Sequence, residues 1–247
     1  MIRAVPGALP AADAGEVASV ALPSGRYVRA DWDEGAAVAW ISADLLPADA
    51  LNAFIPRLAA AFPDTGLWPV QAVGLDSGSL DHPWGDDALD GPNGEIPDTL
   101  RVLMRRRPAG APVPPVAALA AAVPGPELPV VEPVAVDAAG LMLVPVARPA
   151  DVPAALGWRG AINYGYTGAD HTAVLRSWED RFGALLMSIG SDTLRMWVPR
   201  GPTSSEQLDD VLREHFAYCP DNLDFPMTVD AYRARLAQWM YWSFWWD

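Results

Sequence analysis

Apolar residues in the C-terminal part of the chain recur at helical spacing, every three or four positions. One stripe predicts a helix with Asp170 as its N-cap and Gly183 just beyond its end. Its apolar face is Val174, Leu175, Trp178 and Phe182, and its outward side chains are Arg176, Glu179 and Asp180. A second stripe predicts a helix that opens on the capping-box spacing of Thr203–Glu206 and ends near Cys219, and a third helix is predicted from Thr228.

Strands are predicted where apolar runs or alternating positions replace the helical period. Leu141–Val146 predicts one strand, and Ala184–Ile189 with Thr193–Val198 predicts a hairpin. The aromatic residues 242–247 predict a final strand that docks in the core. One face of that strand carries Trp242, Phe244 and Trp246, and the other carries Trp245 and Asp247.

The N-terminal part of the chain predicts strands followed by a helix. The strands are Glu16–Leu22, Arg26–Trp32 and Ala36–Ala43, the first two joined as a hairpin. A helix is predicted from Pro47 to Phe62, which Pro56 kinks or delays. A short strand is predicted to end near Leu75, and a helix is predicted over 97–107. Between them, residues 76–98 form a loop rich in acidic residues. This composition indicates either a solvated loop or a cation site.

These elements predict an α+β fold with a mixed or antiparallel sheet flanked by helices, built as one lobe or two. Residues 108–133 contain eight prolines, which favours an extended connector with a short helix at Val116–Ala122. We therefore divide the chain into an N-terminal α+β region, 1–107, a proline-rich connector, 108–139, and a C-terminal α+β domain, 140–247.

The charge balance narrows the classes of partner. The formal net charge is −14, which argues against a nucleic-acid-binding protein because phosphate recognition needs a basic face. The local run Arg105-Arg106-Arg107 is typical of a helix end, with a phosphate site as the alternative. One cysteine allows no intramolecular disulfide, and no signal peptide or membrane span is evident, so we expect a cytoplasmic protein without a membrane partner.

Three ordered motifs resemble one family. They are Val174–Ala184, then Glu214-His215-Phe216 with Cys219-Pro220-Asp221, then the closing Trp242–Asp247. Over residues 140–247 the chain resembles the bacterial family called Domain of Unknown Function 4253. That resemblance implies no known activity, so it carries no catalytic role to any residue.

The stretch from Glu214 to Asp221 is the best candidate for chemistry. Glu214, His215 and Asp221 are the residue types of a general acid–base site, with Cys219 nearby. His215 and Cys219, four positions apart, also permit a nucleophilic pair or two metal ligands, but a zinc site needs a second recognisable pair. The alternative is a core histidine at the centre of an apolar stripe, with Glu214 off that stripe. We predict neither a metal nor a cofactor.

The remaining features favour recognition over catalysis. Candidate binding residues are Arg176, Trp178, Arg181, Cys219, Trp84 and Trp245. The sequence-based hypothesis is a non-enzymatic protein-binding module, toxin-neutralising or adaptor, whose partner is another protein and whose oligomeric state the sequence leaves open. The alternative is a hydrolase-like enzyme that uses Glu214, His215 and Asp221.

Overall fold

A computed structural model describes residues 2–12, 15–30, 36–75, 78–86, 88–92, 94–105, 111–125, 135, 137–223 and 227–247. Within these ranges it has nine strands and six helices, which confirms the predicted α+β class. The strands are β1 Glu16–Val17, β2 Val20–Ala21, β3 Gly25–Arg29, β4 Ala37–Ser42, β5 Leu67–Ala72, β6 Gly140–Pro145, β7 Leu185–Ile189, β8 Thr193–Trp197 and β9 Tyr241–Trp245. The helices are α1 Ala48–Thr65, α2 Thr99–Met104, α3 Val152–Leu156, α4 Gly168–Phe182, α5 Ser205–Tyr218 and α6 Val229–Leu236.

Seven of the described strands form one sheet in the order β3-β4-β6-β5-β7-β8-β9. Only the β5–β7 pair is parallel among the described strands, so the sheet is mixed. β5 belongs to the N-terminal part of the chain but lies between β6 and β7 of the C-terminal part. The two parts therefore share a sheet, which is one of the arrangements that the sequence left open, and the boundary within 108–139 stays a prediction.

Aromatic side chains join the C-terminal helices to the last strands of the sheet. Trp178 on α4 stacks on Phe244 of β9 with ring centroids 5.1 Å apart, and Trp242 meets the same indole edge-on. The alternation predicted for the last strand is confirmed, because Trp242, Phe244 and Trp246 are buried whereas Trp245 is 46% exposed. Burial of several large rings in one cluster contributes a large apolar area to the core on this face.

The predicted N-terminal hairpin is wrong. β1 pairs with β2 through a turn at Ala18 and Ser19, which both adopt positive φ, so the segment folds back on itself. β3 pairs instead with β4, and Gly25 begins it because a Cβ there would lie 2.2 Å from the ring of Trp40. Trp32 lies outside the described residues.

Two details predicted for proline-containing segments are wrong, namely the delay of the helix that begins near Pro47 and the short helix at Val116–Ala122. α1 runs from Ala48 to Thr65 and includes Pro56, which therefore does not delay it. No helix forms at Val116–Ala122, because the prolines just before it favour extended backbone and the segment bonds to other elements instead.

The ends of α4 and α5 differ slightly from the predicted caps. Thr167 is the N-cap of α4, and Asp170 is the third residue of its capping box. Ser204 caps α5 with Gln207 as its partner, one residue later than predicted. The Asp170 carboxylate also pairs with Arg105, 2.6 Å away, whereas Arg106 and Arg107 lie outside the described residues.

Glu179 does not face outward as predicted. It is 2% exposed and accepts a hydrogen bond from Arg148, itself 4% exposed, at 3.1 Å. Burial raises the pKa of the Glu179 carboxyl, and the Arg148 guanidinium opposes that effect. Helical periodicity missed this residue because its partner comes from the loop after β6, far away in sequence.

None of the helices that the structure describes has the length and apolarity that crossing a bilayer requires.

Candidate functional site

Glu214, predicted to lie off the apolar stripe, is completely buried between α4 and α5. Its two carboxylate oxygens accept hydrogen bonds from Arg181 at 2.7 and 2.9 Å and from the Trp178 indole at 2.8 Å. The backbone N–H of Ala120 donates to the same carboxylate at 2.6 Å. Three of the predicted site residues, Trp178, Arg181 and Glu214, are thus brought together as a buried, hydrogen-bonded cluster.

His215 is also completely buried, but its hydrogen bonds lead in another direction. Asn222 donates its amide N–H groups to the Ser243 carbonyl at 2.8 Å and to the Tyr232 hydroxyl at 3.0 Å. The Tyr232 hydroxyl also shares a hydrogen bond with Nδ1 of His215, 3.0 Å away. Burial lowers the pKa of His215 to about 3, so the ring is neutral at physiological pH.

Cys219 and Asp221 hold the outer edge of strand β9. The Cys219 thiol donates to the Trp245 carbonyl at 2.9 Å, and burial raises the pKa of this thiol. Asp221 accepts from the Tyr164 hydroxyl and, at 3.0 Å, from the backbone N–H of Asp247. The Cys219 and Asn222 contacts occupy the carbonyls of Trp245 and Ser243, and the Asp221 contact occupies the N–H of Asp247, all groups that an edge would otherwise offer to another chain.

The three residues predicted as catalytic are not joined to one another by hydrogen bonds among the described contacts. Glu214 bonds to Arg181, His215 to Tyr232, and Asp221 to Tyr164. Neither Glu214 nor His215 has exposed surface, so a dissolved substrate has no direct access to them. Over the described ranges there is also no group of three or more His, Cys, Asp or Glu residues that could hold a metal ion.

The other predicted binding residues are spread over the molecule. Arg176 pairs with Asp151 at 2.6 Å on the surface of α4. Trp84 is 1% exposed and donates its indole N–H to the Val73 carbonyl at 3.0 Å. Trp245 is the exception, because it is exposed and borders a concave surface.

That concave surface is built on one face of the sheet, where four polar residues line up across four strands. Gln71 pairs with Ser188, Ser188 with Arg195, and Arg195 with Ser243. Directly paired residues share a face, and the neighbours Leu194 and Phe244 are buried on the opposite face. The polar row forms the floor of a cleft of about 610 Å³, which we call the Arg195 cleft.

The walls of the Arg195 cleft mix apolar and polar groups. Val73 and Trp245 contribute apolar surface and are 37% and 46% exposed. The Trp245 indole donates to Asp192 at 3.1 Å, which restricts where its ring lies. Asn222 links the cleft to the buried Tyr232–His215 pair, so the stretch predicted from the sequence borders the cleft without forming its floor.

Two polar groups on the floor have unused hydrogen-bonding capacity. The Arg195 guanidinium forms no ion pair or hydrogen bond with any other residue that the structure describes. Gln71 is 5% exposed, and its buried Nε2 has no hydrogen-bond partner within those residues. Such groups are costly to bury, so a ligand that accepts hydrogen bonds would be stabilised here.

Sequence reasoning missed Gln71, Ser188 and Arg195. The available signal was the pattern Leu194-Arg195-Met196, in which a charged residue alternates with apolar ones and must face away from them. That pattern gives the face but not the neighbouring strands, and the row exists only because β5 inserts beside β7.

The comparisons with known proteins bear on the C-terminal part of the chain alone. No curated protein and no solved structure matches the chain. Residues 140–247 match the model of a protein family, which confirms the resemblance carried by the three motifs. Over residues 140–247 the chain is thus similar to the family described as Domain of unknown function (DUF4253).

Proposed function

We propose that the protein is a binding protein that holds a small carboxylate-bearing molecule in the Arg195 cleft. The observation that carries this proposal is the position of Arg195 on the floor of a concave surface, with no acidic partner among the residues that the structure describes. The chain has 31 acidic and 17 basic residues, and seven other arginines form ion pairs with acids in the described parts. Arg195 lines this cleft, so an anionic ligand bound there would supply its counter-ion.

The chemistry of the floor favours a carboxylate. A guanidinium presents a planar fork of N–H groups that matches the two oxygens of a carboxylate. The Gln71 amide and the hydroxyls of Ser188 and Ser243 supply further donors nearby. Asp137 also borders the cleft, and its negative charge disfavours a doubly charged phosphate ester.

The dimensions of the cleft favour a small molecule. Its volume of about 610 Å³ lies within the range that small-molecule sites usually have. Val73 and Trp245 offer apolar surface for the body of the ligand, beside the polar floor. Gln71 lies outside residues 140–247, so the proposed site needs both parts of the chain.

Replacing Arg195 with glutamine is expected to weaken binding of a carboxylate ligand at least about tenfold, because a charge-assisted hydrogen bond contributes roughly 1.5–3 kcal/mol. The measurement is isothermal titration of the wild type and the variant with ligands found in a thermal-shift screen of small carboxylic acids. Arg29→Gln is the matched control, since Arg29 lies on β3 at the opposite edge of the sheet. Equal loss in both variants, or no loss in Arg195→Gln, contradicts the proposal.

A protein partner, the hypothesis drawn from the sequence, is the second candidate. Its support is a pair of adjacent exposed apolar side chains before β9, Trp239 and Met240, which are 49% and 46% exposed. A partner held by this surface should be captured by the wild type and lost with the Trp239→Ser, Met240→Ser double variant. The hydrolase alternative draws no support from Glu214 and His215, because both are buried.

A further inference from the structure

Residues 111–125 cross the surface of the family domain without forming a helix or a strand, and we call this segment the strap. The backbone of Ala120 bonds on both sides: its N–H donates to Glu214 at 2.6 Å, and its carbonyl accepts from Arg181 at 3.0 Å. The N–H of Val123 donates to the carbonyl of Arg181 at 2.9 Å. These contacts place the strap against the last turn of α4 and the buried carboxylate of α5.

Further hydrogen bonds also reach the main chain of the strap. Gln207 on α5 donates to the Ala121 carbonyl at 3.2 Å, and Arg200 donates to the Gly125 carbonyl at 3.2 Å. Hydrogen bonds to the main chain are one way in which proteins bind extended peptides. Side chains also hold the strap, since Val113, Val116 and Ala120 are buried in the core cluster.

A peptide N–H adds one more hydrogen bond to the Glu214 carboxylate. Arg181 and Trp178 supply its donors from α4, and the N–H of Ala120 supplies the remaining one. Ala120 is 2% exposed, so only a small side chain fits at this position of the occupant. The groove therefore selects an extended segment with a small residue at its centre and valine-sized residues four and seven positions earlier.

We propose that the surface formed by Arg181, Glu214 and Gln207 is a peptide-binding groove, and that the strap is its resident occupant. The groove lies within residues 140–247, which match the family, whereas the strap lies outside them. In this proposal the strap acts as a peptide ligand carried by the same chain, and a free copy of its sequence can replace it. This proposal does not rest on the Arg195 cleft, whose lining contains no strap residue.

The test frees the strap from the chain and asks whether it exchanges. Protease recognition sites replace residues 106–110 and part of 126–134 in the full-length protein, and cleavage at both sites leaves residues 111–125 held only by the groove. A fluorescent synthetic peptide of residues 111–125 is then added, and its anisotropy is measured. We expect saturable binding of the peptide to the cleaved, folded protein and release of the resident strap.

Two modified peptides make the test specific without changing the protein. N-methylation at Ala120 removes the N–H that Glu214 accepts, and we expect at least a tenfold weaker affinity. N-methylation at Ala118, whose N–H has no hydrogen-bond partner in the described part of the chain, is the matched control. Equal affinities for both peptides, failure of the labelled peptide to exchange, or unfolding on cleavage would each overturn the proposal.

Discussion

Replacing Glu214 with glutamine is expected to lower the free energy of unfolding by about 3–5 kcal/mol, the usual cost of removing one partner of a buried ion pair. Glu214 is completely buried, and Arg181, its partner at 2.7 Å, has a side chain only 12% exposed. Glutamine keeps the size of the side chain but leaves the Arg181 charge uncompensated. It also places a donor NH₂ group against N–H groups that donate to the glutamate carboxylate, such as those of Trp178 and Arg181.

The measurement is urea unfolding followed by tryptophan fluorescence. Glu206→Gln is the matched control, because Glu206 lies exposed in the first turn of the same helix and its loss should change stability by less than about 1 kcal/mol. If the two variants are equally stable, Glu214 does not anchor α4, α5 and the strap as the contacts indicate.

Lowering the pH from 7 to 5 is expected to reduce the free energy of unfolding by about 4 kcal/mol through two buried histidines, roughly 2 kcal/mol from each. Burial lowers the pKa of His171 and of His215 from 6.5 to about 3. Below pH 6.5 these two histidines therefore bind protons in the unfolded chain but stay neutral in the folded protein. The free energy of unfolding falls as the pH falls towards 3. Above pH 6.5 both states are neutral at these positions, so the effect vanishes.

Urea midpoints at pH 7, 6 and 5 measure this dependence, and variants isolate its source. His215→Gln should remove about half of the histidine contribution. Glu179, whose pKa burial raises, acts in the opposite direction, so the comparison between variants is the informative quantity. If the free energy of unfolding depends on pH equally in His215→Gln and in the wild type, His215 is not a source of the loss of stability at low pH.

The C-terminal elements were predictable because their signals are local. Helical spacing around Trp178 and alternation around Phe244 report which face is buried, whatever the neighbour is. The position of β5 was not predictable in this way, because a short apolar run does not state which strands it will join. The pairing of Gln71 with Ser188 spans more than one hundred residues and creates the floor of the Arg195 cleft.

The candidate site was only partly predictable for a related reason. The residue types between Glu214 and Asp221 predicted a site for acid–base chemistry. The structure places those residues in the core and along an edge strand. Burial of Glu214 depends on Arg181 and Ala120, which come from other segments of the chain. A helical projection contains neither partner, so it placed this carboxylate on the wrong side of the helix.

Most of the polar floor of the Arg195 cleft lies in the part of the chain that matches the family. Ser188, Arg195 and Ser243 lie within residues 140–247, whereas Gln71, Val73 and Asp137 of the cleft lining come from outside that range. A ligand bound there would contact β5, β7, β8 and β9 together and would stabilise the join between the two parts of the chain.

The most direct test of the Arg195 cleft is a nuclear magnetic resonance titration of the labelled protein with carboxylic acids. The account predicts that binding shifts the amide signals of Gln71, Ser188, Arg195 and Ser243 together, and that Arg195→Gln abolishes these shifts while Arg29→Gln retains them. Shifts that map to another surface, or that persist in Arg195→Gln, would contradict it.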